Sequence, residues 1–209
     1  MDELLQAMAG RPVGEEFRLG ALATAWPRLR QASSMAGLRD ALASSPWHDP
    51  GGDTVLAVRL GMRAQWAARV AAFGDPARTW AAGGVALLLA EQFAAGRPVQ
   101  PDVVGGALSL LGPAAAGAST LDELRGTLPA RARWALAGIS SPGDLWRAEA
   151  TWWARVESDG FRLLRTSGLD SGAVLGAVAV LAADARRVRA ALEIAARGGG
   201  PLEAYDAVA

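Results

Sequence analysis

Apolar residues recur along this chain at helical spacing, and no convincing run alternates apolar and polar residues at every second position. Residues 54–74, "TVLAVRLGMRAQWAARVAAFG", show the pattern well. A stripe through Leu56, Leu60, Arg63, Trp66 and Val70 steps by three or four residues, which predicts one long amphipathic helix. Isoleucine and tyrosine, which favour strands, are scarce, and alanine, leucine and arginine dominate. The sequence therefore predicts an all-α protein.

Capping residues and helix breakers divide the chain into further helices. Ser33 or Ser34 caps a helix that carries Leu38 and Leu42 at i, i+4 spacing. Thr120–Glu123 has the S/T-x-x-E form of a capping box. The other predicted elements are a helix over 11–32 interrupted near Pro27, a loop over 46–53, a helix from Asp75 and Pro76 through Phe93 that stops at Gly96, and a long helix within 140–168.

The last long helix starts near Asp170 and has both an apolar stripe and a dense set of charges. Its stripe runs through Leu181, Ala185, Val188, Leu192 and Ala195. The charges largely compensate one another, since Asp184 lies three residues before Arg187, and Arg189, Glu193 and Arg197 follow at i, i+4 spacing. This pattern favours a solvated face or a protein interface over an anion site, and binding of nucleic acid is not expected.

Three segments of the first half resemble three of the second in the same order. "ASSMAGLRDAL" is similar to "ASTLDELRGTL", and "LAVRLGMRAQWAARV" is similar to "LWRAEATWWARV". "GGVALLLAEQFAAGRP" is similar to the last helix and its glycine-rich end. These similarities predict two related helical bundles of about 100 residues each, over 1–98 and 99–209, packed side by side in one compact domain.

Composition narrows the classes of function. The formal net charge is zero, all 21 basic residues are arginine, and cysteine is absent. A neutral chain has no long-range field that attracts nucleic acid or anionic lipid. Residues 80–90 and 171–183 are very apolar but shorter than the roughly 18 residues that a membrane span needs. The N-terminus lacks the basic region of a secretory signal. We therefore expect a soluble protein with very apolar buried helices.

Candidate catalytic chemistry is sparse. His48 is the single histidine and lies beside Asp49 and Asp53, a combination that could hold a metal or act as a base. No second histidine or cysteine completes such a site, and Ser45 and Asp49 suit turn positions. We predict no catalytic, cofactor-binding or metal-binding residues. The eight tryptophans are expected mainly in the core, but Trp152–Trp153 point in different directions on a helix, which places at least one near a surface.

Residues 172–208, "GAVLGAVAVLAADARRVRAALEIAARGGGPLEAYDAV", resemble the C-terminal segment of the central-stalk subunit of V-type and A-type ATPases, called C or d. Asp184, Val188 and Arg189 occupy the places of its acidic residue and its apolar–arginine pair. Residues 29–50, with Trp47 at an aromatic position, and 83–98 resemble two other segments of that family. Family members are usually half again as long with three helical units, and their Asn-Leu-(Arg/Lys) signature is replaced here by "LLLAEQF".

The resemblance implies a mechanical function without catalytic residues or cofactors. Such a subunit forms a socket that joins the rotor shaft to the proteolipid ring during proton or other ion transport, at the inner face of the membrane in the cytoplasm. The resemblance would make Arg186, Arg187, Arg189, Trp47 and His48 candidate contacts with those partners. The alternative is an all-helical scaffold or regulatory adaptor with no role in an ion pump. Two bundles around an opening would favour the socket, and a compact bundle would favour the adaptor.

Overall fold

A computed structural model of the chain describes residues 24–168, 170–196 and 198. Every regular element in this part of the chain is helical, which confirms the all-α class. The α-helices are α1 (Trp26–Leu29), α2 (Met35–Ala43), α3 (Val55–Ala71), α4 (Ala77–Ala94), α5 (Pro101–Leu108), α6 (Pro113–Ala116), α7 (Leu121–Thr127), α8 (Ala130–Arg133), α9 (Leu145–Thr166) and α10 (Ser171–Ala196). Two short 3₁₀ helices, Trp134–Leu136 and Pro142–Asp144, precede α9. Most of the predicted helix over 11–32 lies outside the described residues.

Hydroxyl side chains cap α2 and α7 as the sequence predicted. Ser34, one of the two predicted candidates, begins α2 with its Oγ accepting from the Gly37 backbone N–H at 3.1 Å. The Thr120 Oγ1 accepts from the Glu123 N–H at 3.2 Å, as the predicted capping box requires. The Glu123 carboxylate, however, accepts from the N–H of Ser119 at 2.8 Å, one residue before the cap. The Ser34 and Thr120 contacts satisfy backbone donors that the first turn of a helix leaves without a partner.

Helix α4 lies at the centre of the molecule. Twelve of its 18 residues are buried, and α3, α7, α8 and α9 all pack against it. Small residues allow this close packing. A Cβ added at Gly83 would lie 2.7 Å from the Cζ2 of Trp134 and 3.1 Å from the Cδ1 of Trp152. The prediction of very apolar buried helices is confirmed for this segment.

The larger hydrophobic core crosses the predicted boundary at residue 98. It joins Leu60 and Val85 to Leu124 and Val156, which come from the second half of the chain. A smaller core holds α1 and α2 against the start of α3. The segments compared as repeats also have different surroundings, because α4 is central whereas α10 packs mainly on α9. The division into two related bundles stays a prediction.

The buried face of α3 differs from the stripe of mostly large residues that the sequence predicted. Of the predicted stripe, Leu60 is buried, whereas Leu56 and Trp66 are 42% and 49% exposed. The buried face continues instead through Ala64, Ala67 and Ala71. Alanines permit the close approach of α3 to the small-residue surface of α4, and the large side chains lie beside this contact.

Helices α9 and α10 form an antiparallel hairpin around a pair of glycines. A Cβ added at Gly176 would lie 2.7 Å from the Gly160 carbonyl oxygen and 3.0 Å from the Cβ of Leu163. Ala179 and Ala183 continue the buried face of α10. Within the described residues, no helix combines the length and apolar character needed to cross a membrane.

We expect Gly176→Ala to destabilise the fold. The added methyl meets backbone oxygen that cannot move aside, so the free energy of unfolding should fall by about 1–3 kcal/mol. The matched control is Gly105→Ala in α5, where an added Cβ meets nothing within 4 Å and alanine should raise stability by up to about 1 kcal/mol. Urea unfolding measures both, and equal midpoints for the two variants would contradict the close contact.

Candidate functional site

A groove lies between α3 and α4 and is bounded at one end by the loop after α2. Its volume is about 470 Å³. The lining residues are Trp47, Leu56, Arg59, Leu60, Met62, Arg63, Trp66, Leu88, Glu91, Gln92 and Arg97. The floor is apolar, two tryptophans form part of the walls, and three guanidinium groups line it.

The groove continues toward α9 and α10. A second depression of about 190 Å³ shares Arg63, Trp66, Leu88 and Glu91 with the first and extends to Glu149 and Trp153 of α9. Arg186 of α10 closes this end. Its Nε lies 3.4 Å from the Glu149 Oε1, and its guanidinium lies 5.7 Å from the centre of the Trp153 ring. One continuous surface therefore runs from Trp47 to Arg186.

Glycine and a salt bridge position the loop at the Trp47 end. Gly61 of α3 lies so close to the loop that an added Cβ would be 1.9 Å from the Pro50 carbonyl oxygen. Arg39 of α2 donates to both Asp49 oxygens at 2.9 and 2.7 Å and to the Asp53 Oδ1 at 3.0 Å. These hydrogen bonds hold the pKa of the Asp49 carboxyl below its usual range, against a smaller opposing effect of partial burial. The loop is thus fastened to α2 and α3.

Trp47 is held against α3 by cationic and polar contacts. The Arg69 guanidinium stacks 4.9 Å from the centre of its ring, and the same arginine donates to the Pro46 carbonyl oxygen at 2.7 Å. Gln65 donates to the Asp49 carbonyl oxygen at 2.7 Å. The buried indole N–H of Trp47 finds no acceptor among the described residues. This end of the groove is therefore aromatic, ordered by α3, and retains a donor.

Among the described residues that line the larger part of the groove, arginines outnumber acidic residues. Arg59, Arg63 and Arg97 line it together with one carboxylate, Glu91, whose Oε2 lies 3.6 Å from the Arg63 Nη1. Burial raises the pKa of Glu91, and Arg63 opposes that shift. Gln92 also lines the groove and is only 6% exposed. A ligand group that joins an apolar part to a carboxylate fits the apolar floor and the guanidinium groups that line the groove.

The structure places the predicted contact residues in different surroundings. Trp47 and Arg186 lie at opposite ends of the groove. Arg187 contacts α9 instead: it donates to both Glu157 oxygens and, at 3.2 Å, to Asp184, the i, i+3 pair expected from the sequence. Arg189 is exposed on α10. Their role as a partner interface stays a prediction.

His48 lies in the predicted loop, beside the groove. It is exposed and has a positive φ of 60°, which is uncommon for a residue with a side chain. The neighbouring Asp49 and Asp53 are engaged by Arg39, and the Asp49 Oδ1 also accepts from the Gly51 N–H at 2.9 Å. This is the turn role predicted for Asp49. Within 24–168 and 170–196, no group of three histidine, cysteine or acidic residues could hold a metal ion.

Sequence reasoning missed the middle of the groove. The sequence did not predict that Glu91, Gln92 and Arg97 line a groove, because the apolar run before them predicted only a buried helix. The signal that could have found the site is Arg63, which interrupts the apolar stripe of α3 between Leu60 and Trp66. An arginine within such a stripe indicates a face that is partly open to solvent. Trp153, half-buried beside the buried Trp152, does satisfy the expectation that one of that pair lies near a surface.

Comparison with protein-family models, with curated proteins and with solved structures finds no significant match for this chain. The resemblance to central-stalk subunits of rotary ATPases therefore stays a prediction from the sequence. The groove and the α9–α10 hairpin are the features that bear on function.

We expect Arg39→Gln to lower stability in a pH-dependent way. Because Arg39 depresses the pKa of Asp49, the salt bridge contributes fully above the unfolded-state pKa of about 4 and is lost as pH falls through the lower folded-state pKa. The variant should be less stable than the wild type at pH 7, and the difference should disappear in acid. Urea unfolding across this pH range measures it.

The control for the Arg39 salt bridge is Arg125→Gln. Arg125 pairs with Asp122, an aspartate on the same helix that is 89% exposed, so its loss should change stability by less than about 0.5 kcal/mol at any pH. A difference between Arg39→Gln and the wild type that stays constant down to the most acidic pH would contradict the assignment to Asp49.

Proposed function

We propose that the protein is a non-catalytic helical adaptor that binds a segment of a protein partner in the groove. The observation that carries this proposal is the half-exposed Trp66, which lines the groove together with the exposed Leu56 and three arginines. Tryptophan and arginine are the side chains most enriched at the energetic centres of protein interfaces. When a partner covers a water-exposed indole in a preformed groove, the burial of apolar surface stabilises the complex.

The charge and length of the groove define the partner segment. Arg97, next to the Arg63–Glu91 pair, favours a segment that presents a carboxylate next to an apolar side chain. The continuation past Trp153 to Arg186 accommodates an extended or helical segment better than a compact metabolite. The partner is therefore an acidic, amphipathic stretch of polypeptide.

The central-stalk subunit of a V-type or A-type ATPase is a narrower form of the same proposal. In that form the groove would receive a rotor-shaft segment, and the protein would lie on the proteolipid ring at the membrane. Such a socket requires related bundles around an opening. The larger core, in which Leu60 and Val85 pack with Leu124 and Val156, supports the compact adaptor instead.

Trp66→Ala should weaken partner binding strongly while leaving the fold intact. Loss of an interface tryptophan weakens binding by at least about 2 kcal/mol, or some 30-fold. Trp66 is 49% exposed, so its removal leaves no large cavity. The matched control is Phe73→Ala, since Phe73 is a 69% exposed aromatic residue just beyond α3 and outside the groove. Quantitative mass spectrometry of proteins purified with each tagged variant measures the difference.

A second pair of variants tests charge. Arg97→Glu reverses one charge in the groove and should release the same proteins as Trp66→Ala, whereas Arg165→Glu, an exposed position of α9 outside the groove, should retain them. Both soluble and gently solubilised membrane fractions are examined. Rotor-shaft and proteolipid-ring subunits among the released proteins would support the socket. Identical protein sets for wild type, Trp66→Ala and Arg97→Glu would overturn the groove as a binding site.

A further inference from the structure

Helix α10 carries a second apolar surface, separate from the groove. Seven positions, alternately four and three residues apart, form one stripe: Val174, Val178, Leu181, Ala185, Val188, Leu192 and Ala195. All seven are exposed, and the five largest, both leucines and all three valines, are between 59% and 65% exposed. The stripe thus extends the one predicted from the sequence by about two turns toward the N-terminus of the helix.

The exposed stripe lies on the side of α10 away from the rest of the fold. Gly176, Ala179 and Ala183 form the face that packs on α9. At about 100° per residue, the stripe is centred roughly opposite that face. The described residues therefore leave it open along about 32 Å of helix.

We propose that this stripe pairs with the same stripe of a second copy of the chain, as a parallel two-stranded coiled coil. Alternating steps of four and three residues are the a and d positions of a heptad repeat, which two helices bury between them. With Val174, Leu181 and Val188 at d, the a positions are Val178, Ala185 and Leu192. Three heptads of apolar contact meet on the dimer axis.

Charge complementarity selects a second copy and the parallel orientation. In this register Asp184 is a g residue and Arg189 is the e residue five positions later. In a parallel coiled coil a g residue faces the e residue five positions on in the partner, so two Asp184–Arg189 pairs flank the seam. An antiparallel pairing places g against g and loses this match. Asp184 is 60% exposed, and Arg189 is exposed without an ion pair to another described residue.

The dimer is compatible with the rest of the structure and independent of the proposed function. Arg186 and Arg187, which bond to α9, do not belong to the stripe. Each body remains on the outer side of its own α10, so both grooves stay open. A dimer would present two grooves to a partner, and two linked sites bind a multivalent partner more tightly than one.

The first test is the mass of the full chain in solution. Light scattering after size exclusion should give twice 21.6 kDa at micromolar concentration. Leu181→Gln combined with Leu192→Gln should give a folded monomer, since both side chains are 65% exposed and support no intramolecular core. Phe73→Gln, at an equally exposed apolar site outside the stripe, should remain dimeric.

Charge exchange tests the register. Asp184→Arg and Arg189→Asp each place like charges across the seam, so each dissociation constant should rise at least about tenfold. A mixture of the two variants should form a heterodimer as stable as the wild type, because both oppositely charged pairs are restored. Native mass spectrometry distinguishes the species. Failure of the mixture to form a heterodimer would overturn the register.

A single cysteine tests the orientation. The chain contains no cysteine, so Val174→Cys introduces a unique thiol near the start of α10. Parallel in-register helices bring the two thiols together, and mild oxidation should give a covalent dimer. An antiparallel pair separates them by most of the helix length, so a dimer that does not cross-link would overturn the proposal. A protein that stays monomeric up to about 100 μM would also overturn the proposal. This holds whether residues 1–23 of the same chain or an added phosphatidylglycerol vesicle is found to cover the stripe instead.

Discussion

The burial of α4 is the constraint on which the rest of the structure depends. An almost wholly apolar helix must be covered on every side, and alanine and glycine let its neighbours approach closely. Two tryptophan hydrogen bonds fix the position of α9 across it. The Trp152 indole N–H donates to the Trp80 carbonyl oxygen, and the Trp80 indole donates to Asp159, both at 2.8 Å. Buried polar groups are satisfied where the two helices meet.

Close packing through small residues explains why the groove and the α10 stripe are apolar. Helix α3 meets α4 through alanines. Two large side chains of α3, Leu56 and Trp66, therefore lie at the edge of this contact and line the groove. Where α10 meets α9 through Gly176 and Ala179, its valines and leucines are displaced to the outer face. In both helices small residues make the close contacts, and several of the large ones remain exposed.

Arginine links these surfaces to the fold. Arg39 fastens the loop at one end of the groove, and Arg69 holds Trp47 against α3. Arg186 and Arg187 tie α10 to two glutamates of α9. Planar guanidinium groups suit both tasks, because they form paired hydrogen bonds with carboxylates and stack on aromatic rings. The proposed binding site and the proposed dimer seam are thus held by rigid neighbours, which limits the entropy lost on association.

The sequence by itself determined the helical class, the caps at Ser34 and Thr120, the break at Gly96 and the turn role of Asp49, because these depend on contacts within a few residues. Only the tertiary structure decided which face of α3 and α10 is buried. Periodicity finds a stripe, but the fit of small residues against another helix decides whether that stripe or the opposite face packs inward. The groove likewise joins Trp47 to Arg186 across most of the chain, a proximity that no local pattern encodes.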